Sequence, residues 1–202
     1  MARFLAARYH RTSTRLRHRL TNAGSPPHPL KLIDCTHAAH AVAILDIFNE
    51  AIVNSTALYD YRPRTLASMA DWFDLKAAGA FPVIGAADDN GVLLGFASYG
   101  TFRAWPAYKY TVEHSVYVYR DHRSRGVGRS LLQALIGRAT GQQLHVMVGG
   151  IDVGNVASIR LHEQLGFTHA GTIRQAGFKF GRWLDLAFHQ RLLDTPHQPV
   201  DD

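Results

Sequence analysis

The stretch Tyr117-Val118-Tyr119-Arg120-Asp121-His122-Arg123-Ser124-Arg125-Gly126-Val127-Gly128-Arg129 carries residue types suited to holding an oxyanion. Apolar and aromatic residues lead into a short polar turn, and the turn leads into the apolar spacing of a helix. Gly126 and Gly128 let a ligand approach the backbone without side-chain obstruction. The N–H groups of a helix's first turn have no intrahelical acceptor, so they point beyond the helix end, where the dipole also favours negative charge. Arg123, Arg125 and Arg129 can add positive field there. The pattern is neither the dinucleotide fingerprint nor a P-loop, which ends in Lys followed by Ser or Thr. Locally it fits a tight strand-to-helix turn with a solvated basic face as well as an anion cradle.

Just upstream, Glu113 stands in an otherwise apolar and aromatic segment. On strand alternation it shares a face with Thr111, Ser115, Tyr117 and Tyr119, while Val112, His114, Val116 and Val118 share the other. A carboxylate on a polar, aromatic face can accept a proton, through a water, if dry surroundings raise its pKa. The alternative is a glutamate facing solvent. Cys35 is the single cysteine, which excludes an intramolecular disulfide and a cysteine-based zinc site. It reads as a small buried hydrophobe. None of the twelve histidines shows the His-Glu-x-x-His metal arrangement.

The elements that must position these groups alternate between strand and helix periodicity. Leu30 to Cys35 is a short strand. Thr36 caps a helix from about His37 to Val53, with Ala41, Ile44, Leu45 and Phe48 inward. Thr65 caps another, in which Met69, Trp72, Phe73 and Leu75 recur, ended by Gly79. Pro82 to Ala87 and Val92 to Thr101 are strands joined by Asp88-Asp89-Asn90-Gly91 as a hairpin link. Thr111 to Tyr119 is a strand, Gly126 to Thr140 a helix with Val127, Leu131, Leu135 and Ile136 inward, and Leu144 to Gly149 a strand. Asn155 to Leu165 is a short helix ended by Gly166. Thr168 to Gly177 and Trp183 to Leu192 form the last strand pair, and Thr195 to Asp202 a loose tail. This order predicts an α/β domain over residues 30–193, with a mixed sheet and no second domain.

Charge is unevenly placed. The net charge is +6, and Arg3, Arg8, Arg11, Arg15, Arg17 and Arg19 precede the first acid, Asp34. Lys and Arg total 22, so the 16 that remain after this arm balance the 16 acids. Residues 1–29 read as a flexible basic arm; contact with an anionic surface, organelle targeting or an upstream start are the competing readings. A secretory signal is excluded by the lack of an apolar stretch there, and no run of apolar residues is long enough for a membrane span. With the charge in the arm and no nucleic-acid motif in the domain, nucleic-acid binding is not expected.

The whole arrangement resembles the GNAT superfamily of N-acetyltransferases. Its pyrophosphate signature, Arg/Gln-x-x-Gly-x-Gly/Ala, matches Arg123-x-x-Gly126-x-Gly128. Asn155-x-x-Ser158 followed by Leu161-His162-Glu163-Gln164-Leu165-Gly166-Phe167 is similar to the helix beside the pantetheine arm, at the expected order and distance. Asn49-Glu50-Ala51-Ile52, Thr56, Glu113 to Val118, and Gly177-Phe178-Lys179-x-Gly181-x-Trp183-x-Asp185 narrow the likeness to the phosphinothricin and methionine sulfone acetyltransferase branch, over about Leu32 to Leu192. The segment Thr56 to Tyr61 departs from the pattern, which usually sets an acidic or polar residue beside its aromatic.

The resemblance implies a mostly antiparallel central sheet with helices on both faces, acetyl-CoA as co-substrate and no metal. It implies a cytoplasmic homodimer acting on a small amine. It places the cofactor on Val116, Tyr117, Val118, Arg123, Ser124, Arg125, Gly126, Val127, Gly128, Arg129, Asn155 and Ser158. It assigns Glu113 as the base. His162 stands where the branch often has a histidine, able to protonate the leaving thiolate or orient a substrate; a packed histidine is the competing reading. Tyr59, Trp72, Phe73, Tyr108, Tyr110 and Phe178 are candidates for an apolar acceptor wall. Arg174 and Lys179 are candidates to meet an acceptor carboxylate or phosphinate, and Trp183 is expected to pack in the last strand. Rival readings are an acyltransferase for a protein N-terminus, a polyamine or an aminoglycoside, and an acetyl-CoA-binding module without turnover.

Overall fold

In the computed structural model, residues 30–201 are described, so the basic arm expected over 1–29 lies outside the described residues. The elements run β1 (Lys31–Asp34), α1 (His37–Asn54), α2 (Ala67–Ala78), β2 (Val83–Ala87), β3 (Leu93–Thr101), β4 (Thr111–Val118), α3 (Val127–Gly141), β5 (Val146–Asp152), α4 (Val156–Gln164), β6 (Thr168–Lys179) and β7 (Arg182–Leu192). Thr36 starts α1 as expected, its Oγ1 accepting from Ala39 N at 3.4 Å. Ala41, Ile44, Phe48 and Ala51, spaced by three and four, are buried along that helix. Thr65 Oγ1 accepts from Ser68 N at 3.3 Å at the start of α2.

The sheet has seven strands in the order β1-β2-β3-β4-β5-β7-β6. Every neighbouring pair is antiparallel except β4 and β5. Helices cover both faces. On one face α3 buries Val127, Leu131, Leu132 and Leu135 against Ala97, Tyr99, Val112 and Met147. On the other, α1 and α2 bury Phe48, Met69 and Phe73 against Phe96 and Tyr117. Alternation along β3 and β4 thus feeds two cores, and β4 is sandwiched between them.

Several expectations give way. Leu75 is 71% exposed, so it does not share the inward face of α2. After α2 the left-handed residue is Ala80 (φ 52), not Gly79; Gly79 is needed because a Cβ there would stand 2.2 Å from the Phe81 ring. The last hairpin is tighter than its sequence suggests: β6 continues to Lys179 and turns through Phe180 and Gly181, both at positive φ, the geometry that suits strand twist. The segment from Thr195 is no loose tail. Lys109 Nζ donates to Asp201 O at 2.6 Å, Tyr110 Oη lies 3.1 Å from Val200 N, and His145 Nδ1 lies 2.7 Å from Thr195 O. Among the described residues no helix is long and apolar enough to cross a membrane.

Candidate active site

The parallel pairing of β4 with β5 is short: Thr111↔Val146, Val112↔Met147 and Glu113↔Val148. Beyond it β4 continues to Val118 along β3, and β5 continues to Asp152 along β7. Between them a wedge opens, and the main chain of Ser115, Val116, Tyr117 and Val118 borders it without a strand partner on that side among the described residues. An unpaired strand edge suits an extended ligand bearing amides, which can add as a further strand. The side chains of Val116, Tyr117 and Val118 serve the cores instead. Tyr117 is buried among Phe48 and Phe96, and burial pushes its phenol up to about 12.

At the wide end of the wedge lies the turn. Ser124 (φ 60) and Gly126 (φ 81) take left-handed conformations, and Gly126 caps α3 without a side-chain bond. The first intrahelical bond is Ser130 N to Gly126 O, at 3.0 Å. The amides of Val127, Gly128 and Arg129 therefore face the turn, as an oxyanion requires. Val127 is the buried anchor of this turn. A Cβ at Gly128 would meet Leu161 at 3.4 Å and Val118 at 3.6 Å, so the small residue allows α3, α4 and β4 to meet closely. Ser124 and Arg125 are exposed. Arg129 reaches across to Gln164 Oε1 at 3.1 Å, joining α3 to α4.

Arg123 does something other than add field to the helix end. Its Nε donates to Val118 O at 3.1 Å, and a terminal nitrogen meets Glu50 Oε2 at 2.9 Å. It fastens the turn to β4 and α1. Asn155 caps α4, its Oδ1 accepting from Ser158 N at 3.2 Å. With the carbonyl occupied, its amide N–H is the group it can offer a ligand. These features fit a pyrophosphate with an amide-bearing arm.

Glu113 is half-buried at the closed end of the wedge, and burial raises its pKa while the charge of Arg103 pulls it back. It shares a sheet face with Gly150, whose Cβ, if present, would lie 3.2 Å from Glu113 Oε1. Gly150 is exposed, so its missing side chain leaves room beside the carboxylate.

His162 is not placed with Glu113. It is buried on the other face, stacked on His114 with ring centroids 5.0 Å apart. His162 Nδ1 lies 2.7 Å from Ser158 O, so that nitrogen carries the proton, and its Nε2 accepts from His114 Nε2 at 3.2 Å. This leaves His114 Nδ1 a bare acceptor, and it has no partner. Burial, then the neighbouring histidine, lowers His114 to about 3; burial foremost also lowers His162. Gly149 makes the pair possible, since a Cβ there would meet His114 Nε2 at 2.8 Å. A neutral His162 in this pair has no proton to give to a leaving group without breaking a buried hydrogen bond. This geometry favours a packed histidine over an acid.

The acceptor candidates separate as well. Trp72 and Phe73 belong to the aromatic core around Phe48 and Phe96. Tyr110 holds the C-terminal segment, and Tyr108 packs edge-on to Phe102 at 5.8 Å on an exposed loop. Lys179 is buried and donates to three main-chain carbonyls, Ile52 O at 2.6 Å, Ser55 O at 2.9 Å and Leu58 O at 2.6 Å. All three of its hydrogens are committed, so it cannot also serve an acceptor carboxylate. Arg174 stands exposed on the bulge of β6, the outermost strand. Phe178 and Trp183 meet edge-on but are 46% and 59% exposed, so Trp183 does not pack in a core. Tyr59 covers Gly177 and feels the charges of Asp152 and Arg182.

Sequence reasoning missed the cluster at the end of β5. Thr56 Oγ1 donates to Asp152 Oδ2 at 2.5 Å, Gly154 N donates to Oδ1 at 3.0 Å, and Arg182 lies 3.4 Å from Oδ2. These residues, with Arg123, Asn155 and Phe180, line a cavity of about 400 Å³. Thr56 alone gave a signal, through its place in the departing segment; Asp152 and Arg182 are separated by a helix and a strand. Among the described residues no group of His, Cys, Asp and Glu is arranged to hold a metal ion.

Known proteins resemble this chain in sequence and fold. Residues 43–167 match the model of the acetyltransferase (GNAT) family. An L-methionine sulfoximine/L-methionine sulfone acetyltransferase of Pseudomonas aeruginosa is 52% identical over 151 residues, 75% of this chain and 88% of that protein. A solved acetyltransferase-class structure from Acinetobacter baylyi ADP1 superposes with a TM-score of 0.85 at 59% identity, covering 87% of this chain and 98% of that one. A Salmonella typhimurium structure containing its cofactor acetyl-CoA superposes with a TM-score of 0.81 at 40% identity, covering 85% and 98%.

Proposed function

The chain belongs to the GNAT family of acetyl-CoA-dependent N-acetyltransferases, and from that premise we propose that its acceptor is the primary amine of a small amino acid of the phosphinothricin, methionine sulfone or methionine sulfoximine type. The observation that carries this reading is the position of Glu113. It stands half-buried where β4 and β5 part, with the free amides of α3 at the other end of the same wedge.

Acetyl-CoA supplies a thioester, and the chain supplies position and proton transfer. The acceptor nitrogen attacks the thioester carbonyl carbon directly; the C–N bond forms, the C–S bond breaks, and the amine's proton passes through a water to Glu113. Holding both reactants in one cleft supplies much of the rate. Burial raises the Glu113 pKa, which makes its carboxylate the better proton acceptor. His162, neutral and on the other face, takes no part, and the departing sulfur takes its proton from solvent. The half-buried position of Glu113 speaks against an acetyl-CoA-binding module without turnover.

The reading includes a cytoplasmic homodimer. The dimer is supported by Ile173, Phe178 and Trp183, which are exposed on neighbouring strands β6 and β7.

Glu113→Gln tests the base. Turnover at neutral pH should fall about 10²- to 10⁴-fold, while the acetyl-CoA Kd stays within about twofold; equal loss of both would overturn the assignment. A thiol-release assay with phosphinothricin, methionine sulfone, methionine sulfoximine, ordinary amino acids and peptides tests the acceptor. Activity on peptides alone would sink it.

A further inference from the structure

A protein that holds a reactive thioester exposes its own amines to it. The chain has four lysines, Lys31, Lys76, Lys109 and Lys179. Lys179 spends its three hydrogens on carbonyls, and Lys109 donates to Asp201 O. Lys31 is exposed on β1. Lys76, on α2, is half-buried and lines a cavity of about 420 Å³ with Cys35, His37, Asp74, Phe81 and Pro82. Neither Glu113 nor Gly150 lines that cavity.

The end of β2 explains why an amine sits there. Carbonyls along β3 point alternately to its two neighbours. Leu94 O accepts from Tyr119 N on the β4 side, so Tyr99 O, five residues on, faces the β2 side, away from β4 and Glu113. β2 stops pairing at Val83, opposite Ser98. The residue before it is Pro82, which has no N–H to give. Lys76 Nζ supplies the missing donor, 2.8 Å from Tyr99 O. Among the described residues it makes no second hydrogen bond and has no acidic partner. Its other neighbours are the rings of Trp72 and Phe81, with centroids 5.5 Å and 5.8 Å away. Loss of its charge therefore breaks no ion pair. The neutral amine keeps a hydrogen for Tyr99 O and has a lone pair to spare. Burial, then the charge of Arg64, lowers Lys76 to about 8. Near that pH about half of it is free amine, roughly a hundredfold more than an ordinary lysine offers.

We propose that Lys76 is an acetylation site of the enzyme itself, its amine taking the acetyl group of acetyl-CoA directly, in this cavity and outside the active site. The nitrogen attacks the thioester carbonyl carbon. The C–N bond forms, the C–S bond breaks, the amine's proton passes to water, and coenzyme A leaves as its thiolate. The amide product retains one N–H for Tyr99 O, so the fold tolerates the mark. The reaction uses the family's co-substrate and is independent of which amine the active site accepts.

The experiment incubates the full-length enzyme with isotopically heavy acetyl-CoA and no added acceptor, and follows each lysine by peptide mass spectrometry. Lys76 should gain heavy acetyl at least about tenfold faster than exposed Lys31, with a rate that levels off above about pH 8. In denaturant the two should react equally, because the advantage belongs to the fold. Glu113→Gln should label Lys76 as fast as wild type. An unlabelled Lys76, or label shared among the lysines by exposure, overturns the proposal. So does labelling that Glu113→Gln abolishes, which would place the transfer in the active site. None of these outcomes bears on the amino-acid acceptor, which is read separately by thiol release with added amines.

Discussion

Gly150→Ala separates stability from turnover at one position. Gly150 is exposed in β5, and its φ is not in the left-handed region, so an L-residue fits the backbone. The new methyl would stand 3.2 Å from Glu113 Oε1, 3.3 Å from Leu186 Cδ1 and 3.8 Å from Phe188 Cε1. The closest of these atoms ends a flexible carboxylate, so a shift of a few tenths of an ångström relieves the contact. Replacing a strand glycine also restricts the unfolded chain, worth about 0.4–1 kcal/mol in favour of folding. Net stability should therefore stay within about 1 kcal/mol of wild type or rise. Turnover should not follow. The methyl occupies the space beside Oε1 where the proposed mechanism puts a bridging water or the acceptor amine, and a misplaced base forfeits much of the roughly 10²- to 10⁴-fold that proton transfer contributes. We expect kcat with methionine sulfone to fall at least about tenfold, with acetyl-CoA affinity kept, as read by thiol release, calorimetric titration and thermal unfolding. A Gly150→Ala enzyme that turns over like wild type would refute the use of this space, and with it the water-mediated role of Glu113.

Two further outcomes follow from buried polar groups. Lys179→Met should cost about 2–4 kcal/mol in denaturant unfolding, because three carbonyls lose a charged donor; a loss of acceptor affinity without a loss of stability would return Lys179 to the binding site. The histidine pair should make the fold acid-sensitive. Both pKa values are lowered on folding, His114 to about 3, so below about pH 6.5 the unfolded chain binds protons that the folded chain does not, and stability falls as pH falls. Each such group steepens the slope by up to about 1.4 kcal/mol per pH unit. His114→Leu/His162→Leu should flatten unfolding free energy against pH between about pH 6 and pH 4; an unchanged slope would mean that the pair already accepts a proton in the native state.

The turn into α3 was legible because its parts are adjacent in the chain. A strand, two glycines and a helix start occur within one stretch, and local backbone geometry makes the amides of Val127, Gly128 and Arg129 face outward wherever the rest of the domain lies. Periodicity also placed Glu113 and His114 on opposite faces, and they lie against consecutive β5 residues, Gly150 and Gly149. The cluster around Asp152 was not legible, because its residues come from the end of α1, the end of β5 and the β6–β7 hairpin. Lys179 shows the difficulty. It is a candidate for an acceptor carboxylate on its sequence, yet three main-chain carbonyls consume it.

Sequence alone therefore determined the order of elements, the two-faced central strand and the cradle at α3, all of which follow from spacing over a few residues. The tertiary structure decided how far β4 and β5 pair before they part, which face each histidine occupies, and which charges are already spent on partners. Those depend on contacts between segments tens of residues apart, such as Thr56 with Asp152 and His114 with His162. Spacing along the chain carries no information about such contacts until the sheet order brings the segments together.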